Sequence, residues 1–526
     1  MSRLRSTCTG RDTAAVAIAA IVVLTAQPAS ALTLTAPGLD PSLLSVTLFA
    51  DGLNFPVGMA ELDDGSVLTA VSNGNNFFGS TTGAILRLAD TDDDGVADLR
   101  QTLVANVPGG KLSALRRAGD LVAVTGQGAG TPISLYRLGP SPADPLTYLG
   151  GIELNYPAGS WLHPHSALAL RKSPTDANRY ELYFQLGSDS NFAVTTRTVT
   201  LSGSLGAAGT LAGDAVHRIE LTDGPGGLTA SAPVQIAVGL RNATGMAFHT
   251  LTGDLYIGDN GIDGLVDVNE PHSADEINVV SEAQLGTVTP HFGFPSSYEA
   301  YRTGVSVGSE GVLPVAAFQP IPPPNGSEAE GVNEIAFAPP MFPEPFANGL
   351  FAGFHGRFSS AGVANEENPL AFVDLESNEQ FHVVPNADPT VGHLDGLLAT
   401  VDTLYVADIS SQGGFSSSGA NSGKIYSIRS LIANGDYDRN GDVDGNDFLR
   451  WQREAGTTTA AFASADGNGD GTIDDADLAI WKEAFGAGNA TASDRAIPEP
   501  TAYWLAAAGG AWLLQVRRRQ AASVRR

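Results

Sequence analysis

Between residues 45 and 429 the apolar positions fall in short runs rich in Val, Leu, Ile, Tyr and Phe, broken by Gly, Asp, Asn and Pro turns. No stretch carries the 3.6-residue period of a long amphipathic helix, so the region is predicted to be all-β. The runs recur in pairs: a small turn, a strand, a turn built on Asp or Gly, and a second strand. Residues 55–60 (FPVGMA) lead to 64–68 (DGSVL), 111–115 (KLSAL) to 119–124 (GDLVAV), and 165–170 (HSALAL) to 180–184 (YELYF). Residues 243–248 (ATGMAF) lead to 253–257 (GDLYI), 332–337 (VNEIAF) to 348–352 (NGLFA), and 394–398 (LDGLL) to 402–407 (DTLYVA). Six such units predict a six-bladed β-propeller over 32–430, with loops lining a central channel and insertions in the third and fourth units. A β-sandwich with long loops is the alternative.

A different pattern follows. Residues 436–447 read DYDRNGDVDGND and residues 466–477 read DGNGDGTIDDAD. Each sets oxygen-bearing side chains at positions 1, 3, 5, 9 and 12 around a Gly at position 6, the arrangement that wraps a hard cation in hard oxygen ligands. The first set is Asp436, Asp438, Asn440, Asp444 and Asp447, with Asp442 offering its carbonyl. The second is Asp466, Asn468, Asp470, Asp474 and Asp477, with Thr472 in the carbonyl role. Val443 and Ile473 at position 8 are expected to tie the loops together. One helix is predicted after each loop, with Phe448, Leu449 and Trp451 matching Leu478, Ile480 and Trp481. This duplicated loop and helix resembles a type I dockerin across 434–487. The resemblance implies folding on calcium and a cohesin-like partner. Residues 434–487 hold 12 acidic and 4 basic residues, so metal-free loops should repel one another. The run 90–98 (DTDDDGVAD) reads either as a lone calcium-type turn or as a tight solvated one.

Charge narrows the function classes. The chain has 57 acidic and 29 basic residues, a net charge of −28. That excludes nucleic-acid binding by phosphate neutralisation, and a 43% hydrophobic content excludes a disordered acidic chain. Eight of the arginines sit at the ends (Arg3, Arg5, Arg11, Arg517, Arg518, Arg519, Arg525 and Arg526), so residues 13–516 carry 21 basic against 56 acidic residues.

The ends themselves read as addresses. Residues 1–31 have a basic start, an apolar run and an A-x-A site, Ala29-Ser30-Ala31, as in a secretory signal peptide. The single cysteine, Cys8, lies within it, so neither disulfides nor thiol ligation are expected in the mature chain. After a linker over 488–496, residues 497–526 run from Ile497-Pro498-Glu499-Pro500 through an apolar stretch to Arg517-Arg518-Arg519. This resembles a PEP-CTERM sorting tail, which implies membrane contact through the tail before processing, an exosortase acting on it, and export to the periplasm, outer surface or matrix of a Gram-negative-type bacterium. A plain C-terminal anchor is the alternative.

Within the propeller the sharpest segment is 239–248, GLRNATGMAF. It is followed by Tyr256-Ile257-Gly258-Asp259-Asn260-Gly261, Asp275-Glu276-Ile277-Asn278 and Phe292-Gly293-Phe294-Pro295. This series resembles the glucose/sorbosone dehydrogenase family and the related pyrroloquinoline-quinone-dependent pyranose dehydrogenases. Phe55-Pro56-Val57-Gly58, Leu86-Arg87-Leu88 and Phe354-His355-Gly356 match it by position. The resemblance implies a quinone cofactor with calcium, and oxidation of a sugar or related alcohol. It implies that Arg241 and Asn242 contact cofactor and substrate, that the carbonyls of Gly261 and Ile262 hold calcium, and that His163 is the catalytic base, with His165 two residues away. The resemblance also implies Arg357 and His355 as further cofactor contacts. The chain departs from the family at Arg357-Phe358-Ser359-Ser360, at Ala167 where Arg is common, and at Ile262 where Pro is usual. Asp275-Glu276-Ile277-Asn278 also reads simply as a loop pin, and Arg241-Asn242 as a turn cap.

Two other readings stand beside the dehydrogenase. One is a non-catalytic propeller that binds glycans or proteins at the cell surface. The other is a calcium-dependent lactonase-type hydrolase, for which Glu334, Asn242 and Asp395 would have to ring one central ion.

Overall fold

The computed structural model describes residues 32–486, except 129, 267–269, 347, 357–364, 366, 387, 389–390, 433–434, 440–441, 460–463 and 469. The predicted signal peptide, the linker over 488–496, the sorting tail, Arg357 and Asn440 lie outside the described residues. The body is the expected six-bladed propeller, followed by two short helices. No helix among the described residues is long and apolar enough to cross a membrane.

Each repeat supplies the first two strands of one blade. The innermost strands are Met59–Glu61, Leu112–Ala118, Leu168–Lys172, Ala243–Phe248, Val332–Phe337 and Gly396–Ala399, and successive ones touch to close a ring around the channel. Three of the second strands, Val67–Ser72, Leu121–Gly126 and Gly349–Phe354, are buried along their whole length because neighbouring blades cover both faces. That double burial is why these strands read as continuous apolar runs rather than as alternating ones. At the inner ring the blades approach closely. A side chain at Gly58 would come within 2.2 Å of the Leu115 backbone, and one at Gly396 within 2.0 Å of the Val57 carbonyl.

Two features depart from simple repetition. A hairpin inserted in the third repeat, Thr198–Gly203 with Gly209–Ala212, adds itself to the outer strand of the second blade, Thr147–Asn155. The sixth blade is finished by the first strand of the propeller: Leu44–Leu53 pairs antiparallel with Gly423–Ser430, from Leu44 opposite Ser430 to Leu53 opposite Gly423. The channel is crossed inside the ring by an ion pair between Arg116 and Glu334, from the second and fifth blades, which face each other. Glu334 is only 3% exposed, and its other oxygen accepts the Ile335 N–H.

Candidate functional site

Inner strands begin, and second strands end, at the same mouth of the channel, so the loops before and after them converge there. Two acidic residues, at the ends of the second strands of the fourth and sixth blades, fix these loops. Asp259, ending Leu255–Asp259, accepts the backbone N–H groups of Arg241 (3.0 Å) and Asn242 (2.6 Å). Asp408, at the same place in the sixth blade, accepts those of Gly392, His393 and Ser410. Both carboxyls are buried, and they tie each entry loop to the strand beside it. Gly239 opens the Arg241 loop with a left-handed φ of +71°, and a side chain there would meet the His291 ring.

Arg241 is 2% exposed, and its guanidinium contacts the Asn191 side chain at 2.8 Å and Asp263 at 2.6 Å. The Asn242 amide donates to Asn260 (2.8 Å) and accepts from Gln185 (3.3 Å). His163 stands on the adjoining wall. Its N–H donates to the Ser188 carbonyl, Ser188 donates to the Arg241 carbonyl, and a side chain at Gly187 would strike both His163 and Arg241. The Nε2 of His163 is buried with no hydrogen-bond partner. Burial first, and the Arg241 charge second, push this imidazole down to about 3, which leaves it neutral with a lone pair available.

His165 is placed differently. It is fully buried, with Nδ1 on the Tyr156 hydroxyl (2.8 Å) and Nε2 on the Thr131 carbonyl (2.8 Å), so both nitrogens are committed to the fold. His355 lies at the same mouth, bonded to Asp395 and packed against both His393 and Phe415 at ring distances of 5.4 and 4.9 Å, those two rings being 4.7 Å from each other. Burial opposes its proton, but Asp395 outweighs burial and raises the pKa. A chain of contacts joins it to the Arg241 wall: Asn260 donates to the Val332 carbonyl, and the His355 N–H donates to that of Gly331. His163, Arg241 and Asn242 are thus together, with His355 further round the mouth.

Asp275 is a loop pin, taking the N–H groups of Gly261 (2.7 Å) and Val332 (2.8 Å). The Ile262 carbonyl already accepts two N–H groups, from His272 and Ser273. The mouth therefore fits a tricarboxylate quinone in one part and not in another. The unpartnered His163 nitrogen suits a proton donor, and Arg241 offers an anion a guanidinium whose charge is already partly met by Asp263. The Ile262 oxygen is spent within its own loop, which leaves Gly261 as the expected calcium carbonyl with no N–H bound to it in the described structure. Each residue of the lactonase set is bonded to a protein partner of its own: Glu334 to Arg116, Asn242 to Asn260, and Asp395 to His355.

Sequence reading missed several groups here. Asn191 and Asp263 come from insertions without repeat counterparts. Lys111 precedes the second inner strand as Asn242 precedes the fourth, so repeat position alone would have flagged it; burial lowers its pKa. Beside Arg241, a pocket floored by Glu276, Phe292 and Tyr298 opens into a cavity of about 360 Å³ walled by Glu299, Glu310 and the segment 306–314.

The buried carboxyls set a pH dependence. Asp259 and Asp408 are pushed up to about 7, Glu276 to about 8 and Glu330 to about 9, each chiefly by burial. Their stabilising contribution is full at low pH and is lost as the pH rises through those values. His163 (about 3) and His165, His217 and His382 (about 4) are lowered by burial, so theirs is full above 6.5 and is lost as the pH falls through 4. The two trends oppose one another below 6.5, and above it only the carboxyls act. Calorimetry at saturating calcium is expected to show Tm falling between pH 6.5 and 9; a rise across that interval would contradict the burial of these carboxyls.

The second candidate site is the paired-loop module. Asp444 and Asp474 cap helices Gly445–Glu454 and Asp475–Ala484, each through a reciprocal bond pattern with the residue three further on, Asp447 or Asp477. The Trp451 indole donates to the Asp474 carbonyl and that of Trp481 to the Asp444 carbonyl, so the halves interlock about an approximate two-fold. Tyr437, Ala465 and Ile473 form the small core beneath. Carboxylate oxygens of Asp436, Asp438 and Asp447 lie within 4.8 Å of one another, close enough to hold one metal together.

Residues 434–485 match the dockerin type I domain family. A protein of Borreliella burgdorferi described as uncharacterized is 32% identical over 156 residues, 27% of this chain and 35% of that protein. The match thus spans about a third of that relative's length. Among solved structures, the chain is similar to a Trichoderma reesei carbohydrate-active enzyme of family AA12 (15% identity, 77% of this chain and 98% of that one, TM-score 0.48). It is also similar to the PQQ domain of pyranose dehydrogenase from Coprinopsis cinerea (14%, 77% and 99%, 0.47) and to the soluble aldose sugar dehydrogenase of Escherichia coli (14%, 74% and 99%, 0.45). At such identities the likeness concerns the shape of the chain and not its chemistry.

Proposed function

We propose that the channel mouth is the active site of a quinone-dependent dehydrogenase that oxidises a sugar or related alcohol, on a chain that also carries a calcium-binding dockerin type I module. The observation that carries this reading is the unpartnered, buried Nε2 of His163 beside the buried Arg241 guanidinium. A buried polar atom without a partner costs free energy unless a ligand satisfies it. Bound pyrroloquinoline quinone would supply the hydride acceptor. His163 receives the hydroxyl proton at Nε2, Arg241 holds an anionic group, and the Asn242 amide, fixed by Asn260 and Gln185, orients what binds beside it. The signal and tail sequences support export, with a cohesin-like partner for the module.

The test is titration of the purified full chain with pyrroloquinoline quinone and calcium, followed by dye-linked oxidation of a panel of aldoses. Saturable binding and sugar-dependent dye reduction are expected; absence of quinone binding overturns the reading. A second reading, glycan binding without turnover, is favoured by the cavity of about 360 Å³ with Phe292 and Tyr298 as stacking faces and Glu299 and Glu310 as hydroxyl acceptors. It predicts oligosaccharide binding that does not require the quinone.

A further inference from the structure

The calcium module sits on the propeller face opposite the candidate mouth, and one residue of its first loop makes the principal contact. Arg439 lays its guanidinium on Asp93 (2.5 and 2.9 Å), in the 90–98 turn of the first blade, and its Nε lies 3.5 Å from Asp402 in the sixth. Asp93 also accepts the Ser464 N–H at 2.7 Å and lies 3.6 Å from Arg429 and 3.8 Å from Arg450. One carboxylate therefore gathers groups from both modules.

Arg439 is the fourth residue of loop 436–447, immediately after the ligand Asp438, and it holds a left-handed φ of +58°. Backbone geometry alone favours glycine there, and the second loop has Gly469 at that position. The arginine is thus accounted for by its side-chain contacts. With the anchor in place, Asp436, Asp438 and Asp447 are already gathered. An arginine beside a dication site would weaken it, and Asp93 and Asp402 offset that charge.

We infer that the propeller is part of the first calcium site: Asp93 and Asp402 hold Arg439, and through it residues 436–439, so that calcium binding at this loop and docking of the module on the first and sixth blades are reciprocally coupled. This coupling is independent of whether the mouth oxidises a sugar.

The experiment is calorimetric calcium titration of the full chain as wild type, Asp93→Asn, Arg439→Gly and the double variant. Asp93→Asn is expected to weaken one calcium site about tenfold while leaving the other unchanged. It should have no further effect in the Arg439→Gly background. Protease cleavage between Ser430 and Asp436 should accelerate in Asp93→Asn and on calcium removal. Unchanged affinity in Asp93→Asn overturns the proposal. So does an equal loss in both backgrounds, which would mean that Asp93 acts without Arg439. Disappearance of a whole site overturns it as well, since the 90–98 turn would then bind the metal itself.

Discussion

Replacing His163 by Gln is expected to lower sugar oxidation by about 10²–10⁴-fold, the range for loss of a positioned base, with quinone affinity and Tm nearly unchanged. The prediction divides function from stability because of what His163 lacks. Its Nε2 makes no bond to the protein, so removing it costs the fold little. His165→Gln supplies the contrast. That ring bridges Tyr156 and the Thr131 carbonyl in full burial, so its loss should destabilise by about 1–3 kcal/mol through the partners left unpaired. Steady-state kinetics, quinone titration and thermal melts on the two variants decide the matter. If His163→Gln melts early and retains turnover, His163 is a packing residue and the proposed chemistry fails.

Asp259→Ala should lower stability by about 3 kcal/mol, because two buried amides lose a carboxylate acceptor together. The same change displaces Arg241 and Asn242, so turnover should fall with stability. Asp408→Ala removes the equivalent clamp from Gly392, His393 and Ser410, and a loss of similar size is expected in denaturant unfolding. Similar losses would establish the Asp at the end of the second strand as a structural element shared by the fourth and sixth blades. A negligible change at Asp259 would mean that these amides find other partners.

Much of this architecture was legible in the chain because inner and second strands carry local signals. The pairs 243–248 with 253–257 and 394–398 with 402–407 fall on the observed strands with their turns. The paired calcium loops were equally plain, since ligand spacing is itself the signal. What stayed hidden is non-local. The pairing of Leu44–Leu53 with Gly423–Ser430, the transfer of the 198–212 hairpin to another blade, and the meeting of Arg439 with Asp93 leave no periodic trace. At the mouth, His163 and His165 were indistinguishable by spacing, and only their bonding separates them. Ile262 kept the right position for a calcium carbonyl, but its oxygen is turned to the loop's own amides. The contrast between Arg439 and Gly469 in otherwise parallel loops was present in the sequence and could have pointed to the docking contact.

The seam in the sixth blade has a consequence for biogenesis. Five blades draw their four principal strands from contiguous chain and can form in order as the chain emerges, but the sixth needs a strand that emerged before all of them. Leu44–Leu53 must therefore wait, its hydrogen-bonding edge unsatisfied, until Gly423–Ser430 arrives. A partly emerged propeller is an open arc with sticky ends, and the waiting strand is the segment most in need of a chaperone's cover.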